Sequence, residues 1–355
     1  MAESRKKRPD SGSRAVPARS GNPAVRSGLQ PPPVKAARPA APLPPEPVPE
    51  GLLPVDGAAY PQILRNEGYA WWRSLGGVVL GLSLFLLMTT VVSQVVVAIA
   101  WAVTASSTPY ATYVTSALAF QRPSGMLGAN LGIATLIPIS WMLMAAVHQV
   151  KPRWLTSVQP RIRWRYLLVS LGVAAAAFTA VLVVSSLVEG TTTFRAQPGF
   201  WWFLAVILLT SPLQAAAEEI FFRGYLMQAL GSLVAQPWFG VVVSSVVFAL
   251  LHGTQNLPLF LDRLAFGLLA AVLVWRTGGL EAGIAAHIVN NVFAYVLAGL
   301  TTSVATVRGV QAIGWLDAAF DVGGFALFAL LAYLVSRLLR LRTRVDLSEL
   351  GSRTA

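Results

Sequence analysis

Long apolar segments dominate the chain, and each is close to the roughly 20 residues that a membrane-spanning helix needs. Asp262 and Arg263 open the sixth of these segments, which is short, so we expect it to be tilted, half-spanning or interfacial. The pattern predicts an all-α, polytopic membrane protein of about eight transmembrane helices. We place these helices at 76–102, 127–149, 166–188, 200–229, 237–254, 260–275, 280–300 and 317–339.

The two ends of the chain have a different character. Residues 1–60 are rich in proline and arginine and contain little that could form a core, which predicts a disordered, basic cytoplasmic tail. The cluster Arg5–Arg8 could contact anionic lipid, although a solvated run of charge is the favoured interpretation. We expect a first group of transmembrane helices in 70–190, a C-terminal one in 315–341 and a short basic tail in 342–355.

Composition and net charge indicate the class of protein and its orientation in the membrane. With 55% hydrophobic residues, 12% charged residues and a mean hydropathy of +0.61, the chain is too apolar for a soluble globular protein. The net charge of +12 lies mainly in the two ends and in the loop after the second helix, so it indicates orientation rather than nucleic-acid binding. It predicts a multi-pass protein of the cell membrane with both termini cytoplasmic, and the preference for arginine over lysine suggests a bacterial source.

Charged side chains interrupt the fourth apolar segment. Glu218, Glu219 and Arg223 would each cost about 2.5–3.5 kcal/mol at the centre of a bilayer. Glu219 and Arg223 are four residues apart, acid first, and are predicted to form a structural ion pair. Glu218 points about 100° away and has no basic residue at helical spacing, so it needs a partner on another helix or buried water. Glu218 is therefore the candidate reactive carboxylate.

Histidines mark two further apolar segments. His252 lies near the end of the fifth segment, one turn after Phe248, and His287 shares a helix face with Asn291 in the seventh. A lone membrane histidine is more often an interhelical hydrogen-bond partner, but three polar groupings in separate apolar segments favour a common site. His148, beside a polar loop, is interpreted as interfacial and structural.

A carboxylate, two imidazoles and a carboxamide suit hydrolysis of an amide. A glutamate and a histidine can deprotonate a shared water, and a histidine with an asparagine can stabilise the oxyanion that forms. A proton-coupled transporter would also place glutamate and histidine at depth, but the sequence has no obvious inverted repeat. A non-catalytic immunity or scaffold protein is the third possibility.

Three motifs carry a resemblance to a known family. EEIFFR (Glu218–Arg223), FALLH (Phe248–His252) and HIVNN (His287–Asn291) resemble the EExxxR, FxxxH and HxxxN/D motifs of the CAAX-protease and bacteriocin-processing family, also described as abortive-infection type. The resemblance covers about residues 200–300. It implies an intramembrane endopeptidase whose catalytic core activates water with Glu218 and His252 and holds the oxyanion with His287 and Asn291. The implied partners are the lipid bilayer and a membrane-associated protein or peptide substrate.

Metal dependence stays open at this point. Members of the family are commonly classed as metalloproteases, and a metal-free glutamate mechanism has also been argued for them. A zinc ion would need three protein ligands, for which Glu218, His252 and His287 are the plausible set. The metal-free arrangement uses all four polar residues more fully and is favoured, with no other cofactor expected. We expect cleavage near the cytoplasmic half of the bilayer, provided that the fourth helix extends beyond the membrane and brings His252 to the depth of Glu218.

Overall fold

The structure is a computed structural model that describes residues 52–190 and 193–348. Its first half contains five α-helices in the described residues: α1 (Trp71–Val103), α2 (Tyr110–Leu118), α3 (Pro123–Ala134), α4 (Leu136–Met142) and α5 (Trp164–Glu189). The second half contains α6 (Phe200–Glu218), α7 (Met227–Gly231), α8 (Trp238–Leu250), α9 (Leu257–Thr277), α10 (Glu281–Thr301), α11 (Val304–Gly309) and α12 (Trp315–Leu338). Two π-helical segments, Leu143–Val147 and Glu219–Leu226, continue α4 and join α6 to α7.

The predicted all-α, polytopic fold class is confirmed for the described residues. Seven helical stretches there are long and apolar enough to cross a membrane, and the fifth predicted segment, 237–254, is present as the shorter apolar helix α8, of 13 residues. Helix α9 is longer than the sequence pattern suggested, with 21 residues. It begins three residues earlier because the Asn256 side chain accepts a hydrogen bond from the backbone amide of Leu259, at 3.2 Å, and so caps the helix.

Both described ends of the chain meet on one face of the helix bundle. The backbone amide of Gly57 donates to the carbonyl of Val345 at 3.0 Å, and the amide of Val345 donates to Ala58 at 2.9 Å. This is the arrangement expected when the chain passes through the bundle an even number of times. We call the face on which the two described ends meet the terminal face.

The predicted disordered stretch 1–60 extends too far, into residues that are packed in the structure. Residues 52–60 are packed against the bundle, because Tyr60 is fully buried and its hydroxyl donates to the carbonyl of Leu155. Val345, in the predicted C-terminal tail, is also buried. Residues 1–51 and 349–355 lie outside the described part of the chain, so the prediction of a disordered N-terminal tail now concerns residues 1–51.

Close packing of α1 on α3 depends on small residues. A Cβ atom at Gly128 would lie 2.9 Å from the carbonyl oxygen of Ser93, and one at Gly132 would lie 2.7 Å from that of Thr89. Without a hydrophobic driving force between helices in lipid, such backbone contact is a main source of helix association. It also fixes which side of α1 faces α3, and that side carries Thr89 and Ser93.

A buried ion pair fastens the start of α10. Arg163, in the loop before α5, donates through Nε to Glu281 Oε1 at 2.8 Å and through Nη2 to Oε2 at 2.5 Å, while its Nη1 donates to the carbonyl of Thr277 at 2.7 Å. Glu281 is fully buried. Gly279 makes room, because a Cβ atom there would lie 2.2 Å from Nη2 of Arg163. The sequence pattern had suggested only a cytoplasmic loop charge at Arg163.

Replacing Arg163 with alanine should destabilise the protein strongly. The substitution leaves the Glu281 carboxylate buried without its cation, a loss of about 3–5 kcal/mol in the free energy of unfolding. The measurement is the thermal midpoint of the purified protein in detergent. Arg161→Ala is the matched control, since Arg161 is two residues away, exposed and without a side-chain partner in the described structure. Equal midpoints for the two variants would show that the pair does not stabilise the fold.

Candidate active site

Glu218 lies at the last position of α6 and has partners on two helices. Its Oε1 accepts a hydrogen bond from Nε2 of Gln214 at 2.8 Å, one helical turn earlier. Its Oε2 lies 3.4 Å from Nε2 of His287 on α10. The side chain retains 12% of its exposure, so it reaches the cavity described below. Glu218 is thus held by neighbours without being enclosed by them.

Glu219 is fully enclosed and links its own π-helical segment to α10. Its Oε1 lies 3.0 Å from Nη1 of Arg223 and 2.9 Å from Nδ1 of His287. A Cβ atom at Gly283, one turn before His287, would lie 2.7 Å from the other carboxylate oxygen, so only glycine permits α10 to come this close. The two glutamates therefore hold the two nitrogens of one imidazole ring. Glu219 orients His287 as well as pairing with Arg223, which the sequence pattern did not reveal.

Arg223 is 1% exposed and is enclosed by aromatic rings. Its guanidinium carbon lies 4.0 Å from the ring centroid of Phe248 and 5.3 Å from that of Phe266. Its N–H groups are not aligned for a hydrogen bond to Glu219, so the pair is held by charge attraction at 3.0 Å and by these cation–π contacts. The π-helical segment that carries Arg223 is an element often found at functional sites.

His252 follows the end of α8. Its Nδ1 lies 2.8 Å from the carbonyl oxygen of Phe248, and since a carbonyl can only accept, Nδ1 carries the proton and Nε2 of the neutral ring is an acceptor. The helix of α6, its π segment and α7 runs without a break from residue 200 to 231. This long helix and the short α8 let His252 line the same cavity as Glu218.

A chain of amides links the third motif to Glu218. Asn291 donates through Nδ2 to Oε1 of Gln214 at 2.9 Å, and Gln214 in turn donates to Glu218. The neighbouring Asn290 donates to Oδ1 of Asn291 at 3.3 Å. Gln214 was missed by sequence reasoning, although its spacing of four residues before Glu218 on one helix face was the available signal.

A cavity of about 460 Å³ brings the four predicted catalytic residues together. Much of its wall is aromatic, with Phe222, Phe248 and Phe266 among the lining residues. We call this cavity the aromatic arm. Asp262 and Arg263 also line it, where the sequence had suggested only an interfacial start of a helix. His148 is not part of the site: it is buried elsewhere, with Nε2 3.1 Å from the hydroxyl of Tyr225.

The geometry does not form a ready metal site. Among the described residues, no group of three histidine, aspartate or glutamate side chains is arranged to hold a metal ion. The Nδ1 atom of His287 is engaged by Glu219 and that of His252 by a carbonyl, which leaves one nitrogen on each ring. One free nitrogen on each ring is what either a catalytic or a metal-ligating histidine needs, so these contacts are compatible with both roles.

A comparison with known protein families gives a match that includes the candidate site. Residues 200–293 match the family model described as type II CAAX prenyl endopeptidase Rce1-like. The chain is thus similar to this family over residues 200–293. All four candidate catalytic residues lie inside the matched segment, so the family resemblance drawn from the three motifs is confirmed.

A relative from Bacillus subtilis (strain 168), named uncharacterized protein YyaK, is 36% identical over 100 residues. The match covers 26% of this chain and 33% of the relative, so the chain spans about a third of the length of the relative it matches. No solved protein structure is significantly similar to the chain. The family-model match covers the segment that holds the candidate site.

Substituting Arg223 with alanine should reduce stability before it affects chemistry. The change removes the cation nearest to the fully buried Glu219 and empties the space between two phenylalanine rings, which predicts a loss of about 3–5 kcal/mol. Abundance in the membrane and the thermal midpoint in detergent are the measurements. Arg276→Ala, at an exposed arginine that contacts only Trp275, is the control. A variant as stable as the parent but inactive would move Arg223 into the catalytic machinery.

Proposed function

We propose that the protein is an intramembrane endopeptidase that hydrolyses peptide bonds of a membrane-associated protein or peptide. The observation that carries the proposal is the convergence of Glu218, His252, His287 and Asn291 on one cavity inside the segment that matches the Rce1-like family. Four polar groups at the depth of the membrane are costly to retain, and a scaffold or immunity protein has no need of them at a common point.

Glu218 is the general base in this proposal. A water molecule between Glu218 and the free Nε2 of His252 loses a proton to the carboxylate while its oxygen attacks the carbonyl carbon of the scissile bond. The proton then passes from Glu218 to the leaving nitrogen as the carbon–nitrogen bond breaks. The hydrogen bond from Gln214 holds Glu218 Oε1, which leaves Oε2 to handle the proton.

His287 and Asn291 stabilise the oxyanion. Glu219 accepts from Nδ1 of His287 and orients the ring, so that a proton at Nε2 would be donated to the developing negative oxygen. Asn291 donates one of its two side-chain N–H groups to Gln214, and the second remains as a donor for the oxyanion. Each such donor contributes about 3–4 kcal/mol to stabilisation of the transition state.

Glu218→Gln should abolish cleavage in a protein that still folds and inserts into the membrane. The amide keeps the shape of the side chain and can still contact Gln214, but it cannot accept the proton of water. Membrane proteomes of cells producing the parent or the variant should differ in polypeptide termini. Glu67→Gln, at an exposed glutamate, is the matched control and should behave as the parent. Termini that are the same in the Glu218→Gln and parent cells would refute the assignment.

The reaction is proposed to proceed without a metal, because two histidines, a glutamate and an asparagine already supply a base and an oxyanion site. Purified active protein should then contain no stoichiometric metal and should keep its activity after exhaustive chelation. The measurement is elemental analysis alongside cleavage of a substrate identified by the changed termini, with a zinc protease as the chelation control. Activity that is lost on removal of a stoichiometric metal and restored by its return would make Glu218, His252 and His287 ligands instead.

A further inference from the structure

A second cavity, of about 430 Å³, also reaches Glu218 and shares Ile133, Tyr295 and Arg308 with the aromatic arm. It lies between α1, α3, α6 and α10 and also touches His252, His287 and Asn291. Helices α1 and α3 contribute hydroxyl and amide side chains to its wall. We call this cavity the polar arm, and its distinctive residues are Thr89, Thr90, Ser93, Gln94 and Asn130.

These polar side chains lie deep in the longest helix of the bundle. Helix α1 has 33 residues, and Thr89 and Gln94 lie about 21 and 14 Å from its C-terminal end at 1.5 Å per residue. Lipid cannot satisfy a hydroxyl or an amide at this depth. The Oγ1 atom of Thr89 is buried and has no hydrogen-bond partner in the described protein, and the Gln94 side chain makes no hydrogen bond there. Of the two, the partly exposed Gln94 amide is the group that water in the cavity can reach.

The polar arm has room for water. Its volume is many times the roughly 30 Å³ that one molecule occupies in the liquid. Asn130 on α3, which is 3% exposed, donates to Oγ1 of Thr210 on α6 at 2.8 Å and to Oγ of Ser211 at 3.3 Å. Polar groups thus extend across the arm from α1 to the helix that carries Glu218.

The mouth of the polar arm lies away from the terminal face. Leu118, Phe120 and Arg308 line it, and these residues come from α2, the turn after it and α11. Those elements follow the C-terminal ends of α1 and α10, whereas the terminal face lies beside the start of α1 and the end of α12. Arg308 stacks on Phe120, with its guanidinium carbon 5.4 Å from the ring centroid. The arm therefore opens at the opposite face of the bundle.

We propose that the polar arm is a water-filled route that connects Glu218 with the aqueous phase on the face opposite the described termini. It supplies the water consumed by the proposed hydrolysis, and it makes the site accessible from that face. With both termini cytoplasmic, as the loop charges predict, the accessible face is the extracytoplasmic one. This differs from the expectation of cleavage near the cytoplasmic half of the bilayer.

The absence of cysteine from the sequence permits a direct test. Ser93→Cys and Gln94→Cys place a single thiol in the polar arm, and Val91→Cys and Val95→Cys place one on the exposed, lipid-facing side of the same turns. A charged, membrane-impermeant methanethiosulfonate is applied to sealed vesicles of either orientation. Gln121→Cys in the turn after α2 and Thr343→Cys beside the terminal face report which face the reagent reaches.

The two arm thiols should react from the side on which Gln121→Cys reacts, at least tenfold faster than the two lipid-facing thiols. Reaction from the side of Thr343→Cys, or rates equal to those of Val91→Cys and Val95→Cys, would overturn the proposal. Gln94→Cys covers the possibility that the buried Ser93 position tolerates no change. Because labelling needs no turnover, the experiment is repeated in the Glu218→Gln background, so failure of the water route and failure of the proposed activity are distinguished.

Discussion

The fully buried carboxylate of Glu219 is the constraint on which the catalytic half of the structure depends. A charge at this depth is retained only if it is compensated, and its compensation comes from Arg223 at 3.0 Å and His287 at 2.9 Å. Arg223 is itself enclosed by Phe248 and Phe266, which belong to α8 and α9. Four helical elements are thus fixed around one oxygen atom. The position of His287 follows from electrostatics rather than from packing alone.

A second buried ion pair fixes the start of α10. Glu281 is fully buried and is held by Arg163 through Nε at 2.8 Å and Nη2 at 2.5 Å. Helix α10 therefore has a charged anchor at its first residue and another at His287, less than two turns later. Between them Gly283 lets the helix approach Glu219. With two anchors the helix can neither slide nor rotate without exposing a charge, which sets Asn291 beside Gln214.

Much of this arrangement was predictable, because ionisable residues in apolar segments are conspicuous. The spacing of Glu219 and Arg223 predicted a pair, and three polar groupings in separate helices predicted a common site. The anchor of Arg163 on Glu281 was not predictable, since its members are separated by 118 residues and each resembles an ordinary loop or helix-end charge. The packed segment around Tyr60 was also missed. A few apolar residues in a proline-rich stretch do not reveal that the hydroxyl of Tyr60 donates a hydrogen bond to the distant carbonyl of Leu155.

The proposed hydrolysis inside a bundle of apolar helices would have two requirements that conflict. A membrane-associated peptide is best held by apolar and aromatic surface, whereas the attacking water needs polar surface throughout its path. A single uniform cavity would serve one reactant at the expense of the other. The two arms meet at Glu218, the aromatic arm with Phe248 and Phe266 and the polar arm with Ser93 and Gln94. The carboxylate at that junction is reached from both cavities, and it is held by Gln214 and His287 rather than by an arginine as Glu219 is.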